Sequence, residues 1–169
     1  MFSALILGLL CASAWAVPFP QYYSYSSAVG GGSGSSYATE GEGRITGVRI
    51  WENYNSYIRG IQLRYDYIWA PVVGNNQGTE KEIMLFDGEA IVQISGKFEH
   101  YNYIYMLVFT TSRGRSLYAG QPRGYNFNFY ANHKESELRL ISGRYNGAGI
   151  TSIGAHWGMV YDMNNSTMP

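Results

Sequence analysis

The sequence predicts an all-β fold from three observations. Glycine and tyrosine are abundant, with 21 and 16 residues among 169, and both favour strands and turns over helices. Short apolar runs recur at even spacing and are separated by glycine-rich turn signals. No stretch of the chain repeats its apolar residues with the period of a helix. These features indicate a β-sandwich, a β-barrel or a β-prism.

The clearest strand signal is a period of two between Ile61 and Tyr67. The alternate side chains of this stretch are apolar, which places them on one face of a strand, and the residues between them are polar. Turn signals such as Asn146-Gly147 separate the other apolar runs. Further strands are expected over residues 45–51, 82–86, 90–95, 104–111, 115–119, 138–142 and 150–157.

Charge and cysteine content narrow the class of protein. Lys plus Arg and Asp plus Glu number 12 each, so the basic surface that a nucleic-acid partner requires is not predicted. Cys11 is the single cysteine and lies in the N-terminal segment. We therefore expect no disulfide and no thiolate metal site in the mature chain. Its stability must then come from its own hydrophobic core.

The N-terminus reads as a signal peptide over residues 1–16. Residues 5–10 form an apolar run, and small residues follow it in the pattern of a cleavage site after Ala16 or, as second choice, after Ala14. A buried N-terminal helix or an uncleaved anchor are the alternatives, but the run is too short for a ~30 Å hydrocarbon core. No later stretch has the length and apolarity of a membrane-spanning helix, so secretion is predicted.

Polar, low-complexity segments are expected on both sides of one folded domain. Residues 17–29, rich in Tyr, Ser and Pro, are expected to be flexible, and residues 30–160 to form the domain. The glycine run at its start is either a linker or an ordered loop that exposes backbone N–H groups. The polar tail over residues 161–169 holds two overlapping glycosylation sequons, at Asn164 and Asn165.

Three common catalytic motifs are absent from the sequence. The chain has no nucleophile elbow, no phosphate-binding loop and no zinc-protease motif. His156 precedes a tryptophan in a predicted strand and is interpreted as a structural or surface residue rather than a catalytic one. Glu80 and Glu82 are close neighbours on one strand, whereas a glycosidase needs two carboxylates facing each other across a sugar. We therefore predict a protein that is not an enzyme and needs no metal or cofactor.

Two stretches suggest a binding surface instead. Residues 99–105 are rich in tyrosine, whose ring offers an apolar face and whose hydroxyl donates or accepts hydrogen bonds, a match for sugars. The alternative is a hairpin whose alternate rings pack inward. Residues 141–157 hold two apolar runs around a loop with Gly143, Gly147 and Gly149. That loop is either a plain turn or a site where backbone groups hold a ligand.

The order of short motifs along the chain resembles one protein family. The motifs are Gly30-Gly31-Gly32, Arg44-Ile45-Thr46-Gly47-Val48-Arg49, Ile61-Gln62-Leu63-Arg64-Tyr65, Gly88-Glu89-Ala90-Ile91, Leu107-Val108-Phe109-Thr110-Thr111, Ile141-Ser142-Gly143-Arg144 and Ile153-Gly154-Ala155-His156-Trp157. Their order and spacing resemble the jacalin-related lectins, and within them the zymogen granule protein 16 group of vertebrates. The resemblance covers nearly the whole mature chain.

The resemblance implies a β-prism of three four-stranded Greek-key sheets that binds mannose-type sugars without calcium. It also implies secretion from granule-bearing cells. In this family the sugar lies between a glycine-rich N-terminal loop, a middle loop and a C-terminal loop. The residues that the resemblance assigns to carbohydrate binding are Gly31, Gly32, Ser33, Tyr101, Asn102, Tyr103, Tyr145, Asn146, Gly147, Gly149, Ile150 and Thr151.

The chain departs from the family pattern in two places. The family's C-terminal loop reads Gly-x-x-x-Asp, whereas the residue four positions after Gly147 is Thr151. A hydrogen bond to a neutral hydroxyl is roughly half as strong as one to a carboxylate, so weaker mannose binding is expected. Relatives in the zymogen granule group carry Lys or Arg beside the glycine loop, where this chain has Ser33, Ser35 and Ser36. An anionic polysaccharide is therefore not the expected ligand, although Arg113, Arg115, Arg123 and Arg144 could form a basic patch elsewhere.

Two functions follow from the sequence. The first is a secreted protein that binds neutral glycans or glycoproteins through the three loops, outside the cell or in the lumen of a secretory granule. The alternative is a lectin-fold protein that has lost sugar binding and acts as a secreted protein-binding or granule-packing factor. The replacement at Thr151 favours the alternative, and the glycine and tyrosine loops favour the first.

Overall fold

The structure, a computed structural model, describes residues 22–160, and every regular element in that range is a β-strand. The strands are β1 (Tyr23–Gly30), β2 (Ser35–Ala38), β3 (Ile45–Glu52), β4 (Ile58–Tyr65), β5 (Ile68–Trp69), β6 (Val73–Gly74), β7 (Thr79–Met84), β8 (Ile91–Phe98), β9 (Ile104–Thr111), β10 (Ser116–Gly120), β11 (Tyr125–Tyr130), β12 (Glu137–Tyr145) and β13 (Ile150–Gly158). The predicted all-β class is confirmed. The predicted signal peptide over residues 1–16 and the sequons at Asn164 and Asn165 lie outside the described residues.

The strands form three sheets, each four strands wide. Sheet 1 has the order β1-β13-β12-β2, sheet 2 the order β7-β3-β4-β5, and sheet 3 the order β10-β9-β8-β11. The short strand β6 pairs with the same edge of β4 as β5 does, because the other edge of β4 is occupied by β3. β5 and β6 thus form one edge strand, interrupted where Pro71 has no N–H to donate to a ladder.

The sheets are Greek keys that close into a three-sided prism. In sheets 2 and 3, three consecutive strands are followed by a fourth that returns beside the first. Sheet 1 joins the first two strands of the chain to the last two. Each sheet contacts both of the others: β12 lies against β8, β10 against β3, and β13 against β4. This arrangement confirms the predicted β-prism.

The core fills the space between the inward faces of the three sheets. Fully buried side chains come from sheet 2 (Ile61, Leu63), from sheet 3 (Phe109) and from sheet 1 (Ile141, Trp157). Burial of each such side chain stabilises the fold by about 1.5–3 kcal/mol before the entropy cost of ordering is subtracted. The prism therefore has the large core that a domain without disulfides needs.

The N-terminal segment forms a strand where a flexible stretch was predicted. Composition predicts a flexible stretch over residues 17–29, whereas β1 begins at Tyr23 and pairs antiparallel with β13. β1 is an edge strand whose rings Tyr23 and Tyr25 are 62% and 47% exposed, so its side chains show no apolar alternation. Its order comes from the backbone ladder with β13, which composition cannot reveal. The folded domain therefore begins before residue 30.

Two further strand predictions need correction. The strand predicted between Ile61 and Tyr67 ends at Tyr65, because Asp66 adopts a positive φ of 48° and turns the chain, which leaves Tyr67 86% exposed. β11 (Tyr125–Tyr130) is not among the predicted strands. Its alternate rings Phe127 and Phe129 are buried.

Candidate functional site

Three loops meet at one end of the prism. We call them the glycine loop (residues 31–34, between β1 and β2), the middle loop (residues 99–103, between β8 and β9) and the C-terminal loop (residues 146–149, between β12 and β13). Gly31 lies directly against the middle loop. A Cβ atom added to Gly31 would lie 2.9 Å from the backbone nitrogen of Asn102. Glycine is required there by this close backbone approach. The structure thus brings together the three loops that the sequence analysis selects.

Thr151 joins the glycine loop to the strand that follows the C-terminal loop. Its hydroxyl donates a hydrogen bond to the carbonyl oxygen of Ser33 at 2.5 Å, and its own carbonyl accepts the N–H of Gly32 at 3.2 Å. Thr151 is 1% exposed. Its hydroxyl therefore faces the glycine loop rather than the solvent.

Asn146 shapes the C-terminal loop. Its side-chain oxygen accepts the backbone N–H groups of Ala148 and Gly149, at 2.9 and 3.1 Å, which closes a local turn. Its amide nitrogen donates to the hydroxyl of Tyr103 at 3.3 Å. One side chain therefore fixes this loop and connects it to the middle loop.

An aromatic pair forms one side of the loop end. The ring of Tyr57, from the loop between β3 and β4, stacks on the ring of Tyr103 with centroids 4.1 Å apart and an interplanar angle of 18°. Gly149 lies against the ring of Tyr57, because a Cβ atom added to this glycine would lie 3.0 Å from the ring. Tyr57 is not among the predicted site residues, because its loop carries none of the motifs that point to the family. The pairing arises only when β4 brings that loop beside the middle loop.

Arg144 supplies a positive charge beside the glycine loop. Its guanidinium donates to the carbonyl of Gly34, and its side chain is exposed. The carboxylate of Glu99, at the start of the middle loop, is paired with Arg123 at 3.4 Å. Arg144 is not among the predicted site residues, because it stands on β12 rather than next to the glycine loop in the chain.

The four arginines considered for a basic patch do not form one. The guanidinium groups of Arg113 and Arg115 lie over the ring of Phe86, at 5.3 and 4.2 Å from its centroid, and Arg115 pairs with buried Glu89. Arg144 lies beside the glycine loop instead. The hypothesis of a single patch from these four residues is therefore wrong.

The remaining predicted site residues differ in exposure. Tyr101 is fully exposed at the tip of the middle loop, and its neighbour Asn102 is also exposed, as is Gly147. Ile150 is fully buried and belongs to the hydrophobic core. Tyr145 is half-buried, with its ring 6.2 Å from that of Tyr37. The solvent-facing part of the site therefore consists of the glycine loop, the middle-loop tip and Gly147.

His156 lies on sheet 1, away from the three loops. Its Nε2 bonds the hydroxyl of Ser142 at 2.8 Å, its Nδ1 bonds the hydroxyl of Tyr23, and burial lowers the pKa of its imidazole. These contacts agree with a structural role. Among residues 22–160, no cluster of His, Cys, Asp and Glu has the arrangement of a metal site. The same residues contain no helix of the length and apolarity needed to cross a membrane.

A three-sided prism of Greek-key sheets, with a glycine-rich loop at the end where three loops meet, is the fold of the jacalin-like lectins. Residues 26–156 match the family model of the jacalin-like lectin domain, and the chain belongs to this family.

Named relatives support the same assignment. The chain is 41% identical over 161 residues to zymogen granule membrane protein 16 of Rattus norvegicus and 40% identical to that of Homo sapiens, covering 93% of this chain and 94% of each relative. Among solved structures, a prostate-specific WGA16 glycoprotein lectin is similar with a TM-score of 0.71 and 30% identity, over 82% of this chain and all of that lectin.

Proposed function

We propose that this protein is a secreted, calcium-independent carbohydrate-binding protein that takes neutral, mannose-type glycans at the loop end of the prism. The convergence of the three loops carries this proposal: Gly31 contacts Asn102, and Asn146 donates to Tyr103. Glycans and glycoproteins are its proposed partners. The similarity to zymogen granule membrane protein 16 supports a place in the secretory pathway, as does the signal-peptide pattern over residues 1–16.

The chemistry of the exposed groups supports a sugar ligand. Gly31, Ser33 and Gly34 lie outside the strands and are exposed at the site. The carbonyls of Ser33 and Gly34 already accept hydrogen bonds from Thr151 and Arg144. The amide of Asn102 both donates and accepts, as ring hydroxyls of a sugar require. The ring of Tyr101 offers an apolar face to sugar C–H groups. Together these groups match a neutral, hydroxyl-rich ligand.

The affinity is expected to be low. The Asp of the family pattern is replaced by Thr151, whose hydroxyl is committed to Ser33. Loss of a hydrogen bond to a charged group costs about 1.5–3 kcal/mol, which corresponds to a factor of about 10 to 150 in affinity. The same observation favours the second candidate, a lectin-fold protein that binds a secreted or granule protein instead of a sugar.

The test is a titration of the mature protein with methyl α-mannoside in the presence of EDTA. The NMR shifts of the backbone amides report the binding. We expect shifts at the glycine, middle and C-terminal loops, and tighter binding by the variant Thr151→Asp. Methyl α-galactoside serves as the matched sugar control. Binding by neither the native protein nor the variant would contradict the carbohydrate proposal.

Two further outcomes separate the candidates. If only Thr151→Asp binds, the scaffold is intact and the natural ligand is not mannose. A protein partner captured by the native chain supports the second candidate when excess methyl α-mannoside leaves its binding unchanged. Release of that partner by the sugar supports the first candidate instead.

A further inference from the structure

A pocket of about 480 Å³ lies at the end of the prism opposite the three loops. Strand β4 connects the two ends: the carbonyl of Ile58, at its start, lies against Gly149 of the C-terminal loop, and Tyr65, at its end, lines the pocket. A strand of this length spans roughly 23 Å at about 3.3 Å per residue. The pocket is therefore separate from the candidate carbohydrate site.

The floor and one wall of the pocket are apolar. Tyr65 and Ala70 form the buried floor, and the hydroxyl of Tyr65 is already used in bonds to neighbouring chain segments. Tyr67 and Ile68 form the wall and are 86% and 75% exposed. Two consecutive large apolar side chains left bare beside a cavity are a feature of binding sites.

Three carboxylates line the same pocket. Glu40 and Glu42 come from the loop between β2 and β3, and Asp66 comes from the turn between β4 and β5. Glu40 and Glu42 are exposed, and within residues 22–160 neither has an ion-pair partner. Asp66 is held in place, because its Oδ1 accepts the backbone N–H of Arg44 at 3.0 Å. The negative charge of the pocket is therefore open to a ligand.

The guanidinium groups near the pocket are bound to other groups of the protein, and Arg139 donates to the carbonyl of Gly43, next to Glu42, at 2.9 Å. Arg44 and Arg139 both pair with Glu137, Arg139 at 3.3 Å. Arg64 lies over the ring of Tyr67, 5.6 Å from its centroid. Arg64 therefore already occupies a face of this ring, and the carboxylates are the groups left to meet a cationic ligand.

We propose that this pocket binds a free aliphatic amine in its protonated form. The alkyl chain packs on the exposed side chains of Tyr67 and Ile68, and the ammonium group lies beside Glu40 and Glu42. Both parts of such a ligand are matched: methylene groups gain from burial against this apolar wall, and the charge gains from the carboxylates. A neutral alcohol matches only the wall, and a carboxylate ligand is repelled.

The experiment is an NMR titration of the mature protein with hexylammonium chloride, with 1-hexanol and hexanoate as matched controls of equal chain length. We expect amide shifts confined to residues 40–43 and 65–70. The dissociation constant for hexylammonium should rise about threefold to tenfold in the double variant Glu40→Gln/Glu42→Gln, because each exposed charge contributes modestly. Added NaCl should weaken binding, since the carboxylates are exposed.

Two variants keep the test independent of folding and of general charge. Glu135→Gln removes another exposed carboxylate, between β11 and β12, and it should bind hexylammonium as the native protein does. Ile68→Ser removes an exposed apolar side chain and should weaken binding of hexylammonium. Equal affinity for hexanol and hexylammonium would overturn the proposal, as would equal losses in the double variant and in Glu135→Gln. Shifts at the three loops instead would assign the amine to the carbohydrate site.

Discussion

The side-chain hydroxyl of Thr151 donates a hydrogen bond to the backbone carbonyl of Ser33, a residue 118 positions earlier in the chain. The backbone carbonyl of Thr151 accepts a second bond from Gly32. Both polar groups of Thr151 that face this loop are thus used to hold it. The position where the family pattern has a carboxylate serves here as a support for the glycine loop.

Removal of this hydroxyl should loosen the glycine loop. We expect Thr151→Val, which keeps the shape of the side chain, to lower the free energy of unfolding by about 0.5–1.5 kcal/mol. Urea unfolding measures this change. Thr79→Val on the exposed edge strand β7 is the control and should leave stability nearly unchanged. Equal stability of Thr151→Val and the native protein would show that the bond does not hold the loop.

Gly31→Ala should force the glycine and middle loops apart. The new methyl group would lie 2.9 Å from the backbone nitrogen and 3.0 Å from the carbonyl oxygen of Asn102. We expect a loss of about 1–3 kcal/mol in stability and weaker binding of methyl α-mannoside. Gly147→Ala is the matched control for stability, because nothing lies within 4 Å of the added carbon. Thermal unfolding compares the two variants, and the sugar titration checks Gly31→Ala. Equal stability of the two variants would contradict the close packing.

Tyr57→Ala should remove the support of the middle loop. The stacked pair of Tyr57 and Tyr103 contributes about 1 kcal/mol beyond its buried area, so the variant should unfold earlier and bind sugar more weakly. Tyr54, in the same loop, is 80% exposed, and Tyr54→Ala should leave both properties unchanged. Crystal structures or amide shifts of the middle loop would locate the effect. Unchanged shifts in Tyr57→Ala would refute the supporting role.

Glu89→Gln should destabilise the prism through a buried network. The carboxylate accepts from Arg115 at 2.6 and 2.9 Å, from Thr111 at 2.5 Å and from the N–H of Phe86 at 2.8 Å. Hydrogen bonds to charged groups contribute about 1.5–3 kcal/mol, and the variant should lose about that amount. The control Glu82→Gln removes a half-exposed partner of Arg49 and should cost about 1 kcal/mol or less.

The same network predicts a dependence of stability on pH. The hydrogen bonds from Arg115, together with those from Phe86 and Thr111, lower the pKa of Glu89 from 4.5 to about 2. Since the unfolded state takes up the proton first, this contribution is present above pH 4.5 and is lost as the pH falls towards 2. Urea midpoints measured between pH 7 and pH 2 should fall more steeply for the native protein than for Glu89→Gln. Parallel curves would exclude Glu89 as the source.

Local patterns were sufficient to predict most of the strands that carry the core, although not β11. Ile61 and Leu63 alternate with polar residues, and both are fully buried on the inner face of β4. A strand that buries one face imposes this period on its own residues. The loops of the candidate site were predicted through the resemblance, and their meeting at Gly31 and Asn102 agrees with it.

Local patterns failed where order comes from a distant partner. β1 pairs Tyr25 with His156, 131 positions away, and its edge position leaves its side chains without a burial pattern. Tyr57 reaches the site only because sheet 2 packs against sheet 3. Arg144 lies far from the glycine loop in sequence, and pairing of β12 with β2 brings them together. These contacts join residues that are far apart in the chain, so the residues next to each of them carry no signal that would predict the contact.

The sequence by itself determined the all-β class, most strands of the core and the family pattern of loops, because alternation and glycine placement are properties of neighbouring residues. The tertiary structure decided what the groups at the loops do. The hydroxyl of Thr151 points at Ser33, and the charge of Arg144 lies beside the glycine loop. Both results depend on which strands pair and which sheets pack, and that is set by burial of the common core rather than by any local stretch.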